Sequence, residues 1–387
     1  MVCSSASTVV LSRSILLGRH VWRRFFAMEA AATNNKRPLE EVEDESKRPR
    51  VEARVRRKKV ALLMGYSGQG YFGMQRNHQM RTIEDELFKA MLKADFASQE
   101  ECDFPHTLFF QRAARTDKNV SAAKQIVSLK LCTDPGVIEQ LNSHLPPEIR
   151  AFGLKRVTKN FNSKGNCDAR TYSYTFPTFA LSPVGQEDES FRATPELLEK
   201  FAQTLKMYEG TKNFHNFTCK KTFVDPSSKR YIVKFECLKP YEKDGLEYIE
   251  CQVKGQSFMM HQIRKMVALA IAVVKGIVEP DIVSKAYESN RLDLPMAPGL
   301  GLVLQEVHYD RYNRKFGKDG VHETLTWEAE EEAVQKFKEE FILPTIYEGE
   351  RNGKSMMNWI VTLPLHTFDD KRNVKKDEEE EDGVSDE

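Results

Sequence analysis

The sequence predicts an α+β protein built on a mixed sheet in two βαβ-like halves. Three observations carry this reading. Strand-type and helix-type runs take turns from Val60 to Val307, the segment Ala169 to Phe176 alternates with period two, and Ser257 to Gly276 reads as one long helix that is apolar almost all round from Met266 to Val274.

Val60-Ala61-Leu62-Leu63-Met64 is a buried-strand run, ended by the turn-rich Gly65 to Gly73. That glycine-rich loop lacks the spacing of a phosphate loop, so no nucleotide-triphosphate site is assigned to it. Thr82-Ile83-Glu84-Asp85 opens a helix as a capping box, with Ile83, Leu87, Met91 and Leu92 on its apolar face. Leu108-Phe109-Phe110 reads as a strand end, and Val127 to Leu131 alternates as a strand. Asp134-Pro135 starts a second helix through Leu141. Ala169 to Phe176 places Arg170, Tyr172, Tyr174 and Phe176 on one face, and Ala169, Thr171, Ser173 and Thr175 on the other. Thr194-Pro195 begins a helix through Leu205. Tyr231 to Leu238 and Leu246 to Val253 are hairpin strands around Lys243-Asp244-Gly245. Leu302 to Val307 is a closing strand, and the acid-rich helix Thr326 to Phe341 is an outer element beyond the alternation.

With 387 residues, 40% apolar and 30% charged, the chain accommodates two ordinary domains and unfolded tails. The expected division is a targeting peptide and basic linker over 1–58, an N-terminal half over 59–165, a C-terminal half over 166–345, and an extension over 346–387. The net charge of +1 conceals segregation: the run from Asp377 to Glu387 is strongly acidic, leaving the remainder with a positive excess that a polyanion can read. The seven cysteines contain no Cys-x-x-Cys pair, which fits reduced thiols in an intracellular compartment better than a disulfide framework or a zinc set. The longest apolar run is far short of the roughly 20 residues that cross a bilayer. Residues 1–28 hold Arg13, Arg19, Arg23 and Arg24 among serines and apolar residues with no acid, a transit-peptide composition that favours mitochondrial import. Met28 offers a second start, after which basic clusters from Lys36 to Lys59 suit nuclear import or RNA contact, or a solvated linker. Two starts would give two addresses.

Chemistry concentrates in Gln111 to Ala122, where Asp117 stands between Arg115 and Lys118. Flanking cations hold a carboxylate ionised even in a partly dry cleft, although Thr116 or Asp117 capping a turn explains the same residues. Arg264, one turn ahead of the apolar run, needs an anion if it is buried, and Asp117 is a candidate; an exposed first turn is the alternative. Tyr172 suits base stacking, proton transfer or plain sheet packing. His215 and His261 have no partners at metal spacing and read as structural.

Tyr66 to Gln75, Ala114 to Ala122, Cys167 to Tyr174, Ser257 to Met266 and the closing Ala297 to Leu302 together resemble the TruA family of tRNA pseudouridine synthases, over roughly residues 59 to 310. The resemblance implies the pseudouridine synthase fold: two ferredoxin-like halves sharing a central mixed, mainly antiparallel sheet, with the active cleft between them. It implies that Asp117 is the catalytic carboxylate, that Tyr172 stacks on the target uracil, that Arg264 pairs with the carboxylate, and that Arg115 enters the RNA stack as the uridine swings out. It further implies a monomeric isomerase that needs no cofactor or metal. Its substrate is the anticodon stem of tRNA (27/28 type), with messenger or other structured RNA as additional substrates, in the mitochondrion and nucleus and in the cytoplasm. Asp117 adds to the sugar, or stabilises or deprotonates an intermediate; the residues alone do not choose. Two alternatives stand beside this: a family member acting on the anticodon loop (38/39 type), and an RNA-binding protein without chemistry on the same fold.

Overall fold

The computed structural model describes residues 57–369. The expected leader, most of the basic linker and the acidic tail therefore lie outside the described residues. Ten strands form one sheet: β1 Lys58–Tyr66, β2 Gln111–Arg112, β3 Ser121–Leu131, β4 Ile149–Arg156, β5 Ala169–Pro177, β6 Gly210–Asn213, β7 Lys229–Cys237, β8 Tyr241–Lys243, β9 Leu246–Gly255 and β10 Leu302–His308. Their order is β4-β1-β3-β10-β5-β9-β7-β6, with β2 on β3 and β8 on β9. Every pairing is antiparallel except that of β10 with β3, where Val303 lies opposite Ser121 and Leu304 opposite Ala122.

Local chemistry accounts for the elements. Val60 to Met64 are fully buried, as a strand covered on both faces demands, and β1 sits between β3 and β4. Helix α1 (Ile83–Lys93) starts at Thr82, whose hydroxyl accepts from the Asp85 N–H. Helix α2 (Gln99–Asp103) follows, capped by Ser98, and α3 (Val137–Asn142) begins after Gly136 in the left-handed conformation, later than Asp134-Pro135 suggested. Helix α4 (Pro195–Lys206) packs on α5 (Gln262–Val274), which is buried along nearly its whole length. Leu108-Phe109-Phe110 is not a strand: Phe109 has φ +54°, its carbonyl accepts from Lys59 Nζ at 2.6 Å, and its ring lies under Lys130.

The closing strand β10 is central: it is the seam between β4-β1-β3 and β5-β9-β7-β6. The acid-rich helix also does more than decorate the surface. Helical backbone runs from Glu331 to Arg351 with a π segment at Lys338–Ile342, and it crosses the back of both groups of strands. Glu331 pairs with Lys124 on β3 and Phe337 packs on Phe152 of β4, while Lys338 lies 3.9 Å from Glu250 on β9 and the Tyr347 ring meets Tyr248. The 345/346 boundary drawn from the sequence falls inside this helix.

Glu350 is 5% exposed and accepts from the Met356 N–H at 2.8 Å. Burial raises its carboxyl to about 7, above its ordinary 4.5. Between those values the unfolded chain releases a proton that the folded chain keeps, so stability falls as pH rises through this window, by on the order of 3 kcal/mol. Replacing Glu350 with glutamine is expected to raise the melting temperature by several degrees near pH 8 and to change it little near pH 5; thermal melts at the two pH values check this.

Candidate active site

Asp117 sits on the loop that enters β3, and that loop is held from beneath. Gln125 on β3 accepts from the Ala114 N–H (3.2 Å) and donates to the Ala114 carbonyl (2.9 Å), while Thr116 and Tyr66 share a hydroxyl–hydroxyl bond of 2.8 Å. Burial pushes the Tyr66 phenol up to about 12, so it remains a neutral partner. The Gly65 to Gly73 stretch is the cradle for this loop. A Cβ on Gly68 would meet the Val120 carbonyl at 2.3 Å, and one on Gly73, at φ +95°, the Thr116 carbonyl at 2.5 Å. Glycine is required there because two backbones touch, which is what the loop contributes instead of phosphate binding. Asn119, at φ +62°, closes the turn through Val120 N–H to the Asp117 carbonyl.

The opposite wall comes from β5 and the start of α5. Tyr172 is 6% exposed, and its ring meets Phe258 edge-on with centroids 5.4 Å apart. Gly255 makes room for that Phe258 ring, since a Cβ would lie 2.7 Å from it. Burial holds the Tyr172 phenol far above its ordinary value, which leaves a neutral ring suited to stacking rather than to taking a proton. Arg264 is half-buried. Its Nε donates to the Ala297 carbonyl at 2.7 Å, and its guanidinium carbon lies 3.7 Å from where a Gly299 side chain would begin. Burial lowers its pKa while the neighbouring Tyr174 and Asp117 oppose that shift. Closure at Ala297 to Leu302 thus wraps the guanidinium, with Gly301 pressed on Thr175.

Between the walls lies a cleft of about 450 Å³ lined by Arg115, Asp117, Arg170, Tyr172, Arg230 and His261, among others. Asp117 is the one acid in this lining among the described residues. Arg170 links the walls, donating to the Ala113 carbonyl on one side and the Gln256 carbonyl on the other. The direct ion pair expected between Arg264 and Asp117 is not formed: Arg264 is held by Ala297 and acts on the carboxylate at longer range. Nor do the sequence neighbours reach it, since Arg115 is exposed and Lys118 lies over the Phe72 ring at 4.5 Å. Among the described residues, the basic group within ion-pair distance is His261, whose Nε2 stands 3.8 Å from Asp117 Oδ2. Spacing alone marks His261 as structural, as it does His215, which is buried with Nε2 3.3 Å from the Asn290 carbonyl. Its left-handed conformation, φ +66° at the cap of α5, turns the ring into the cleft, and no sequence periodicity announces that.

Residues 204–310, from α4 to β10, match the family model described as tRNA pseudouridine synthase. Over 317 residues the chain is 50% identical to Pseudouridylate synthase 1 homolog of Mus musculus, covering 81% of this chain and 75% of that protein. The chain belongs to the TruA family of tRNA pseudouridine synthases. Pseudouridylate synthase 1 homolog of Homo sapiens is likewise 50% identical over 314 residues, covering 80% of this chain and 74% of its own. At greater distance, tRNA pseudouridine synthase 1 of Yarrowia lipolytica is 33% identical over 388 residues, covering 78% and 73% respectively. The TruA-family model spans the wall that carries Arg264, whereas Asp117 lies on the opposite wall, outside the matched residues.

Gly73→Ala tests the cradle. A side chain 2.5 Å from the Thr116 carbonyl, at a positive φ, must displace the Asp117 loop. Pseudouridine formation is expected to fall by roughly 10-fold or more for a shift of the order of 1 Å, with tRNA binding nearly unchanged; single-turnover rates and a binding titration read the two separately.

Proposed function

We propose that this chain isomerises uridine to pseudouridine in the anticodon stem of tRNA. The observation that carries the reading is a single carboxylate, Asp117, in a nucleoside-sized cleft whose lining also holds Arg115, Lys164, Arg170 and Arg230 and the rings of Tyr172 and Phe258. The chemistry breaks the bond between the sugar C1′ and N1 of uracil, turns the base, and joins C5 to C1′. The C5 proton leaves and N1 gains one, so the reaction balances without an oxidant or a second substrate. Arg115, at the exposed rim, fills the gap left in the stack as the nucleotide swings out, at a cost of a few kcal/mol. Tyr172 then holds the base by its π-face, and Asp117, beyond the N-terminal end of α5, acts as an anion on the sugar or on the detached base. Arg264 stabilises that charge from its wrapped position. Lys164, Arg170 and Arg230 supply cationic groups for the phosphates, and Arg230 Nε is buried without a partner.

The preference for stem positions of the 27/28 type rests on the likeness to the relatives, and messenger and other structured RNA with a similar helix–loop shape are further substrates. The enzyme acts as a monomer. The basic, acid-free first 28 residues and the basic clusters after Met28 support destinations in mitochondria and nucleus, with the cytoplasm as a third site.

Asp117→Ala is expected to abolish pseudouridine formation on transcribed tRNA while leaving tRNA affinity within about threefold, because the phosphate contacts remain. Surviving modification in that variant would reject Asp117 as the catalytic group. Tyr172→Phe is expected to keep most of the rate and Tyr172→Leu to lose it, since stacking is worth about 1–3 kcal/mol per base. Mapping pseudouridines in tRNA from cells lacking the protein settles position: loss at the stem supports the proposal, and loss confined to the loop replaces it with the 38/39 type.

A further inference from the structure

We propose that Cys219 and His261 form a positioning pair for Asp117, the thiol fixing the imidazole so that one N–H faces the carboxylate. The geometry sets three groups in line. Cys219 Sγ lies 3.4 Å from His261 Nδ1, and His261 Nε2 lies 3.8 Å from Asp117 Oδ2. A thiol is a weak donor and a neutral imidazole has one donor and one acceptor nitrogen. If the S–H donates to Nδ1, the ring proton must sit on Nε2, on the side of Asp117. The remaining gap is longer than a hydrogen bond and closes with a small rotation of the ring when a base fills the cleft.

Backbone and neighbours both favour this placement. His261 holds a left-handed conformation that costs a non-glycine residue free energy and points its ring across the cleft. Cys219 is exposed, on a segment pinned by Arg291, which donates to the carbonyls of His215, Thr218 and Lys221. The charged groups around the imidazole are Asp117 across the cleft and Arg264 and Lys265 on its own helix. Burial first, then those two cations, lower its pKa from 6.5, with Asp117 opposing. The ring is therefore neutral at neutral pH, which is the form the tautomer argument requires. Lowering the pH protonates Nδ1, removes the acceptor for the thiol and converts the polar contact with Asp117 into an ion pair.

This inference rests on Asp117 being the catalytic carboxylate, and the test separates the two. Full-length protein and transcribed tRNA are used, and kcat, KM and the pH dependence of single-turnover rates between about pH 5 and pH 9 are measured for wild type, Cys219→Ala, Cys219→Ser, His261→Asn and Asp117→Ala. Asparagine is chosen because it tolerates the left-handed backbone. His261→Asn is expected to lower kcat on the order of 10- to 100-fold, the worth of one hydrogen bond to a charged group, with KM unchanged, and to remove the low-pH change in rate expected of wild type as the imidazole protonates. Cys219→Ala should lower kcat severalfold and Cys219→Ser restore it. Because Cys219 is exposed, its two variants remain informative even if His261→Asn is unstable. An inactive Asp117→Ala alongside wild-type kcat and pH profile in Cys219→Ala and His261→Asn overturns the pair alone. An active Asp117→Ala overturns the catalytic reading itself.

Discussion

The parallel pairing of β3 with β10 is the contact on which the rest of the molecule depends. It brings together segments far apart in the chain, Ser121 with Val303 and Ala122 with Leu304, and it converts two groups of antiparallel strands into one sheet. The loop entering β3 carries Asp117, and the turn entering β10 wraps Arg264. One short ladder thus fixes the distance between the carboxylate and the cation that acts on it. Parallel strands cannot be joined by a tight turn, and the connection across this seam is long, running through β4 to β9 and α5.

Electrostatics in the cleft follow from which side chains the walls desolvate. Tyr172, Tyr174 and Arg264 are each shifted chiefly by burial, in the direction that disfavours their charged form for the tyrosines and the cation alike. Asp117 keeps about a third of its side-chain surface, 32%, and lies beyond the start of a long buried helix. The walls thus keep their phenols neutral around a single carboxylate.

Much of this was legible in the sequence, and the omissions share a cause. Period-two alternation exposed β5, and therefore the side on which Tyr172 stands; a solid apolar run exposed β1 and the buried face of α5. The loop around Asp117 was identifiable because a lone acid among cations after an apolar stretch is unusual chemistry. What spacing could not supply was three-dimensional contact dependent on special backbone angles. Gly68 and Gly73 announce only that glycine is needed, not that the Asp117 loop is what they touch. His261 looked structural because no residue near it in sequence is its partner. Leu108 to Phe110 looked extended because three apolar residues carry no warning that Phe109 turns left-handed. Arg264 reads in the sequence as wanting an anion, whereas in the structure its Nε is taken by the Ala297 carbonyl.

The long helix behind the sheet bears on how RNA enters. Because it grips Lys124 and Phe152 on one side of the seam and Glu250 and Tyr248 on the other, any hinge motion that widened the gap would have to slide a packed helix across both groups of strands. A target nucleotide must therefore leave its own stack to reach the cleft, at a cost of a few kcal/mol.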